Sequence, residues 1–206
     1  MNTSFYFLQF ASLIFGLIFA IKIIDFKKSA WVFYFLATVV GSFQFIDLSN
    51  FKIIEYLNNL PMYTHDLILS LIAILIYSQI NIKPRAITKK NIFSVITLLL
   101  PMTIFMIVFY YLTIPSFVFV NADTAIVISI TFSIATYLGS TLLVFGLISG
   151  LLINAICTIQ FIAIDLFYMI KYDSFPLQLW LTIFFGFISF FIFLYGYNKN
   201  KKLLSH

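Results

Sequence analysis

The sequence predicts an all-α integral membrane protein with seven transmembrane helices, and three observations lead to this fold class. The 206 residues are 63% hydrophobic and only 9% charged, a composition that does not fold around an ordinary core in water. Seven apolar stretches of roughly 17–23 residues match the length that crosses a hydrocarbon core. The basic residues fall almost entirely on the connecting loops. Helices are favoured over barrel strands because the apolar runs are continuous and lack a two-residue alternation.

Hydropathy and chain-breaking residues set the bounds of the predicted spans. In chain order the spans are 5–24, 29–46, 62–82, 92–114, 124–140, 142–164 and 177–197. The first three and the last three are spaced alike along the chain, which is compatible with a parallel repeat. The fourth contains Pro101 but few strongly polar groups, so it suits a connector. The predicted organisation is a three-helix half at 1–82, a linker helix at 92–114, a second half at 124–197 and a basic cytoplasmic tail at 198–206.

The boundary between the fifth and sixth spans decides how many transmembrane spans are predicted. A single helix over 124–164 would be about 60 Å long, twice the hydrocarbon thickness, so a break is predicted near Gly139-Ser140-Thr141. With seven spans, all but two of the 12 basic residues, Lys52 and Lys171, fall on one side. The positive-inside rule then places the N-terminus outside and the C-terminus in the cytoplasm of the inner (plasma) membrane.

Polar side chains inside the spans are the candidates for function, because a polar group in hydrocarbon is costly unless it meets another polar group or water. On the third and sixth spans they share one helical face each. The predicted cavity residues on the second, third and sixth spans are Thr38, Ser42, Gln44, Tyr63, Asp66, Ser70, Tyr77, Asn154, Thr158 and Asp165.

For several of these residues a structural role is an open alternative. Asp66, Asp123 and Asp165 lie near predicted span ends, where carboxylates are solvated or cap helices. Tyr63 and Tyr77 also suit an interfacial belt, and His65 is predicted to be a solvated histidine at a span end. Stripes of small residues on the first, fifth and seventh spans predict close helix packing: Gln9, Ser12, Gly16, Ala20, Ser129, Ser133, Thr136, Ser140, Gln178, Thr182, Gly186 and Ser189.

Catalytic constellations are absent from the sequence. There is no HExxH motif, no cysteine–histidine pair, no acidic pair at metal-ligand spacing and no glycine-rich phosphate loop. We therefore predict no enzyme activity, no metal site and no cofactor. The net charge of +5 is explained by topology, since the basic residues flank apolar ends and do not form a phosphate-tracking surface for nucleic acid. Cys157 is predicted to be a small buried apolar residue.

Three stretches resemble the PnuC-type nicotinamide riboside transporters, a SWEET-related family. The first is LIFGLIFAIKII with AWVFYFLATVVGSFQF and MYTHDLILSLIAILIYSQ, similar to the family's glycine-containing first helix, its second helix and an aspartate opening the third. The second is NADTAIVISITFSIATYLGS, with Asp123 and Tyr137 at the family's positions. The third runs from Asn154 in LLINAICTIQF to FLYGYNKNKK. The chain departs from the family in having two tryptophans, Trp31 and Trp180, and none around the asparagine helix.

The resemblance implies facilitated diffusion of a pyridine nucleoside, which a cytoplasmic kinase then traps. It implies amide or ribose contacts from Asn154, Gln44 and Gln160, and stacking on Tyr137 and Trp180. Asp66 and Asp123, with Tyr63 nearby, would serve the ribose or gating. The expected partners are a small-molecule substrate and the lipid bilayer. A homo-oligomer is also compatible with the sequence. Two alternatives stay open: a substrate-binding membrane subunit of an ATP-driven vitamin importer, and a non-transporting membrane accessory protein.

Overall fold

The structure is a computed structural model that describes residues 3–43, 53–113, 124–171 and 176–205. Within these ranges every regular element is an α-helix. The seven helices are α1 (Thr3–Ile23), α2 (Lys28–Phe43), α3 (Ile53–Gln79), α4 (Lys89–Thr113), α5 (Thr124–Val144), α6 (Ser149–Lys171) and α7 (Leu177–Leu204). The all-helical class predicted from continuous apolar runs is confirmed.

Three of the described helices are long and apolar enough to cross a membrane: α1 over 6–23, α6 over 149–167 and α7 over 177–204. Shorter apolar helical segments cover 28–43, 64–79 and 134–144. Many large apolar side chains lie on the outer surface. Phe7, Phe93 and Ile170 are each more than 70% exposed. Apolar exposure on this scale is typical of helices that face lipid and is rare on soluble monomers.

The helices close into a ring. Packing is most extensive between α1 and α2, α2 and α3, α5 and α6, and α6 and α7, and α7 also packs against α1. On the other side α4 contacts both α3 and α5, and α3 contacts α5 directly. At the α1–α7 contact, the Gln9 side-chain amide donates to the Gln178 carbonyl at 3.3 Å. This arrangement leaves a space between the helices.

The break between α5 and α6 lies later than predicted. Helix α5 continues through Gly139-Ser140-Thr141 and ends at Val144, and the turn occupies residues 145–148, where Gly146 adopts a φ of 74°. Gly139 serves a different purpose: a Cβ on Gly150 would lie 2.5 Å from the Gly139 carbonyl oxygen. The two glycines therefore let α5 and α6 approach backbone to backbone, as small residues do in membrane bundles.

The basic C-terminal segment is helical rather than a separate tail, because α7 extends to Leu204. Asn200 anchors it. This side chain is buried, and its amide donates to the carbonyls of Ile24 at 2.9 Å and Gly196 at 2.8 Å. The Ile24 carbonyl of the α1–α2 turn is thus hydrogen-bonded to a side chain of α7.

A second tie joins the α3–α4 loop to the α5–α6 turn. The Arg85 amide donates to the Gly146 carbonyl at 2.8 Å, and the Ile148 amide donates to the Arg85 carbonyl at 3.1 Å. We call this pair of bonds the loop seam. Beside it, the buried Tyr77 hydroxyl donates to the Leu143 carbonyl at 2.7 Å, so Tyr77 is an internal residue and not part of an interfacial belt. The seam and the Asn200 contact fasten one end of the ring.

The ion pair between Asp25 and Lys199 lies at this same end, with Lys199 Nζ 2.7 Å from Asp25 Oδ1. The hydrogen bond from Lys199 holds the pKa of the Asp25 carboxyl below its usual value. A lowered carboxyl pKa contributes stability above the unfolded-state value and loses it as pH falls through the folded-state value. Both side chains are about 40% exposed, so solvent screening keeps the contribution below about 1 kcal/mol.

We expect Asp25→Asn to lower the apparent melting temperature of the detergent-purified protein slightly at pH 7, and less in high salt. The difference from the unmodified protein should vanish at a pH below the pKa of Asp25. The exchange Asp25→Lys with Lys199→Asp is the matched control and should recover most of the loss. An equal effect of Asp25→Asn at all pH values would contradict the ion-pair account.

Candidate substrate cavity

A cavity of about 400 Å³, open to the surroundings, lies between the helices of the ring. This volume lies within the usual range for small-molecule sites. Six helices supply the described lining residues, and α4 supplies none of them. The polar residues of the lining are Ser12, Tyr34, Thr38, Asp66, Thr136, Ser140, Asn154, Thr158, Thr182 and Ser189.

Asp66 on α3 is the one charged side chain among the described lining residues. Its Oδ1 accepts a short hydrogen bond of 2.6 Å from the Tyr34 hydroxyl on α2. The Nδ1 atom of His65 lies 3.4 Å from the same oxygen. Ser140 on α5 also interacts with the Tyr34 hydroxyl. Tyr34 of α2 thus holds this carboxylate directly, and Ser140 of α5 contacts that tyrosine in turn, which is the geometry expected of a preorganised binding group.

Asn154 supplies the amide of the cavity. The side chain is 6% exposed, and its Nδ2 donates to the Gly150 carbonyl one turn earlier on α6, at 2.8 Å. Its Oδ1 accepts no hydrogen bond from the described residues. A Cβ on Gly139 would lie 2.7 Å from Nδ2, so the glycine of α5 makes room for this amide. The arrangement leaves the side-chain carbonyl oxygen as an acceptor for a solute that enters the cavity.

Apolar and hydroxyl side chains complete the lining. Phe19, Phe161, Phe185 and Phe193 present ring surface. Several hydroxyls bond to the backbone of their own helix, as Thr158 does to the Asn154 carbonyl at 2.7 Å. A cavity with aromatic surface, hydroxyls, one amide and one carboxylate suits a small polar solute with a flat ring.

One end of the cavity is closed by packing. Phe19 and Phe193 line the cavity and also belong to a buried cluster with Ile23, Trp31 and Tyr77. This cluster reaches the residues that flank the loop seam, including Ile82, Val144 and Ile148. A solute in the cavity therefore has no path through this end unless the cluster and the seam separate.

His65 is buried, contrary to the prediction of a solvated histidine. It is 2% exposed and stacks on Tyr137 of α5 with ring centroids 3.8 Å apart. Within the described part of the chain, its Nε2 has no hydrogen-bond partner. His65 contacts Asp66 and stacks on Tyr137 of α5, so the pair contributes to the site without lining the cavity.

The structure brings together some of the predicted site residues and separates others. Asn154 and Asp66 both line the cavity. Tyr137 is not among the lining residues, and its ring stacks on that of His65. Gln160 is half-buried and not among the lining residues, and Trp180 is 50% exposed on the outer surface of α7. Gln44 and Asp123 lie outside the described residues, as does the side chain of Tyr63.

Two features of the lining were not predicted. Tyr34, the partner of Asp66, stands in an apolar run, WVFYFLA, that gives no signal of a polar role. The small-residue stripes were assigned to packing, yet Ser12 and Gly16 of α1, Ser140 of α5 and Ser189 of α7 face the cavity. No heavy atom lies within 4 Å of a Cβ placed on Gly16, so this position borders open space. The packing role does hold at Gly186, where a Cβ would lie 3.0 Å from Ile162.

Among the residues that the structure describes, no group of three or more histidine, cysteine, aspartate or glutamate side chains is placed to hold an ion. Cys157 is buried, as predicted. The described lining offers hydrogen-bonding groups, ring surface and one carboxylate.

Comparison with known proteins gives a match in structure but not in sequence. No family model matches the chain, and no curated protein matches it. The fold is similar to the crystal structure of the vitamin B3 transporter PnuC, with a TM-score of 0.64 over 97% of this chain and 82% of that one. Sequence identity between the two is 13%. The resemblance inferred from short sequence stretches is thus confirmed at the level of the fold.

Proposed function

We propose that this chain is a membrane transporter that carries nicotinamide riboside or a closely related nucleoside by facilitated diffusion. The observation that carries the proposal is the cavity lined by six helices, where Asn154 and Asp66 present hydrogen-bonding groups beside phenylalanine rings. A nucleoside offers ribose hydroxyls and an amide to such groups and a flat ring to the aromatic surface. The similarity in fold to a vitamin B3 transporter supports the same solute class.

The proposed topology has seven spans with the N-terminus outside and the C-terminus in the cytoplasm. The contacts at one end of the ring support it, because the α1–α2 turn, the α3–α4 loop, the α5–α6 turn and the end of α7 lie together there. These segments carry most of the basic residues, among them Lys27, Arg85 and Lys199. Clustering of basic residues at one end is what the positive-inside rule requires of a cytoplasmic face.

In this topology the closed end of the cavity faces the cytoplasm. Release of solute to the cell then requires the first three helices to move against the last three, with α4 as the linker. The loop seam and the Asn200 contact both join the first half to the second. We propose that they separate when the cavity opens inward and re-form when it closes.

Ligand-dependent thermal stabilisation tests the proposed function. A ligand that binds only the folded state raises its stability by about 2.7 kcal/mol at 100 times its dissociation constant. We expect nicotinamide riboside to raise the apparent melting temperature of detergent-purified protein more than thiamine, riboflavin or common nucleosides do. No shift with any of these vitamins, in protein shown to be folded by size-exclusion chromatography, would overturn the assignment.

Asn154→Ala is expected to weaken binding of nicotinamide riboside about tenfold or more, because a buried hydrogen bond between ligand and protein is lost. Isothermal titration calorimetry measures the change, and uptake into proteoliposomes should fall in parallel. Asn198→Ala is the matched control, since Asn198 is exposed near the end of α7 and far from the cavity lining. Unchanged binding in a folded Asn154→Ala variant would remove Asn154 from the site.

A further inference from the structure

We propose that Asp66, held in place by Tyr34, makes the cavity select its solute by charge, so that a cation is preferred to a neutral molecule of the same shape. This inference rests on the proposed function and names the property of the solute that the site recognises. It assigns the discrimination to one carboxylate and a positioning residue.

The geometry leaves one oxygen of Asp66 available to a solute. Oδ1 takes both described contacts, the hydrogen bond from Tyr34 and the approach of His65. No described residue donates to Oδ2. The side chain is 23% exposed and borders the cavity, so the uncommitted oxygen is the one that an entering molecule meets.

The charge of Asp66 is not balanced within the lining. No lysine, arginine or histidine is among the described residues that border the cavity. His65 approaches the carboxylate from behind and is 2% exposed. The titratable group that contacts the carboxylate from a neighbouring helix is the phenol Tyr34 of α2, while Tyr137 of α5 interacts with Tyr34 and stacks on His65. A cation that enters the cavity therefore supplies the missing counter-charge.

The surroundings strengthen this effect. Phenylalanine rings on three helices, among them Phe19, Phe161 and Phe185, border the same space. Aromatic faces attract cations, and a site bounded by apolar side chains has a lower effective dielectric than water.

Tyr34 acts through Asp66 as a positioning residue. Its hydroxyl donates to Oδ1 at 2.6 Å and so fixes the carboxylate rotamer that presents the other oxygen. Removing the hydroxyl leaves the negatively charged carboxylate in the cavity but no longer fixes its orientation. Tyr34→Phe should therefore weaken the preference for a cation without abolishing it, whereas Asp66→Asn should abolish it.

The test compares two molecules with one skeleton: nicotinamide riboside, which carries a pyridinium charge, and its neutral dihydropyridine form. Dissociation constants are measured by calorimetry for the unmodified protein, Asp66→Asn, Tyr34→Phe and Asp165→Asn. Asp165 is the matched control, because it is a partly buried carboxylate on α6 that does not line the cavity.

We expect the unmodified protein and Asp165→Asn to bind the cation about 10- to 100-fold more tightly than the neutral form, the range of a single charged contact in a buried site. The ratio should approach one in Asp66→Asn and take an intermediate value in Tyr34→Phe. A ratio unchanged in Asp66→Asn overturns this inference and leaves the proposed function standing. Failure of both molecules to bind the folded, unmodified protein overturns this inference and the proposed function together. If Asp66→Asn does not fold, an unchanged ratio in Tyr34→Phe overturns the inference.

Discussion

Replacing Gly150 by alanine is expected to destabilise the protein by about 2–3 kcal/mol, the cost of overpacking a tight contact. A Cβ at this position would lie 2.5 Å from the Gly139 carbonyl oxygen and 3.0 Å from the Leu143 backbone nitrogen. Both are backbone atoms, so no side-chain rotation relieves the overlap, and α5 and α6 must move apart. Because Asn154 bonds to the Gly150 carbonyl, the movement should also weaken solute binding.

Thermal unfolding in detergent micelles measures the first effect, and calorimetric titration with nicotinamide riboside measures the second. Gly16→Ala is the matched control for stability, because no heavy atom lies within 4 Å of its added Cβ. Alanine favours a helix over glycine by about 1 kcal/mol, so this control should be neutral or slightly stabilising. A Gly150→Ala variant as stable as Gly16→Ala would mean that α5 and α6 do not approach as described.

Gly146→Ala is expected to lower stability by about 2–4 kcal/mol through two separate effects. The residue has a φ of 74°, a left-handed conformation that costs a side-chain-bearing residue about 1–2 kcal/mol. An added Cβ would also lie 2.7 Å from the Lys83 carbonyl oxygen and 2.7 Å from Ile82 Cγ2. The loop seam, in which the Gly146 carbonyl accepts from Arg85, would be pushed open.

Gly146→Asn separates the two effects, because asparagine tolerates the left-handed conformation better than alanine does. If the close approach to the α3–α4 loop dominates, both variants should melt at similarly reduced temperatures. Proteolysis of the α3–α4 loop in proteoliposomes should become faster in both, since the seam no longer holds it. Recovery of wild-type stability in Gly146→Asn would show that conformational strain alone limits this position.

The helices were predictable because a bilayer imposes a length on each span and basic residues mark the loops between spans. The position of the α5–α6 break was not predictable by the same reasoning. Gly139-Ser140-Thr141 and Phe145-Gly146 both offer a glycine within an apolar run. A glycine ends a helix in one context and permits close helix packing in another. Only the approach of Gly150 to the Gly139 carbonyl distinguishes the two.

The site was predictable where a side chain is costly in hydrocarbon and therefore conspicuous. Asp66 and Asn154 fall in this class, and both line the cavity. Tyr34 was missed because a tyrosine among aromatic residues suits apolar packing equally well. The small residues that border the cavity were missed for a related reason. A small side chain leaves room for a neighbouring helix or for a solute, and spacing along one helix does not say which, as Gly16 and Gly186 illustrate.

The loop seam has a consequence for how far sequences with this architecture can diverge. Its two hydrogen bonds join main-chain atoms of Arg85 to those of Gly146 and Ile148, so the side chains of Arg85 and Ile148 take no part in them. Of the residues in the seam, the left-handed Gly146 alone is restricted by its backbone. An end of the ring that is joined through peptide groups can therefore persist while nearly every neighbouring residue is exchanged. Relatives that keep the architecture would then be recognised by shape long after alignment of their sequences has failed.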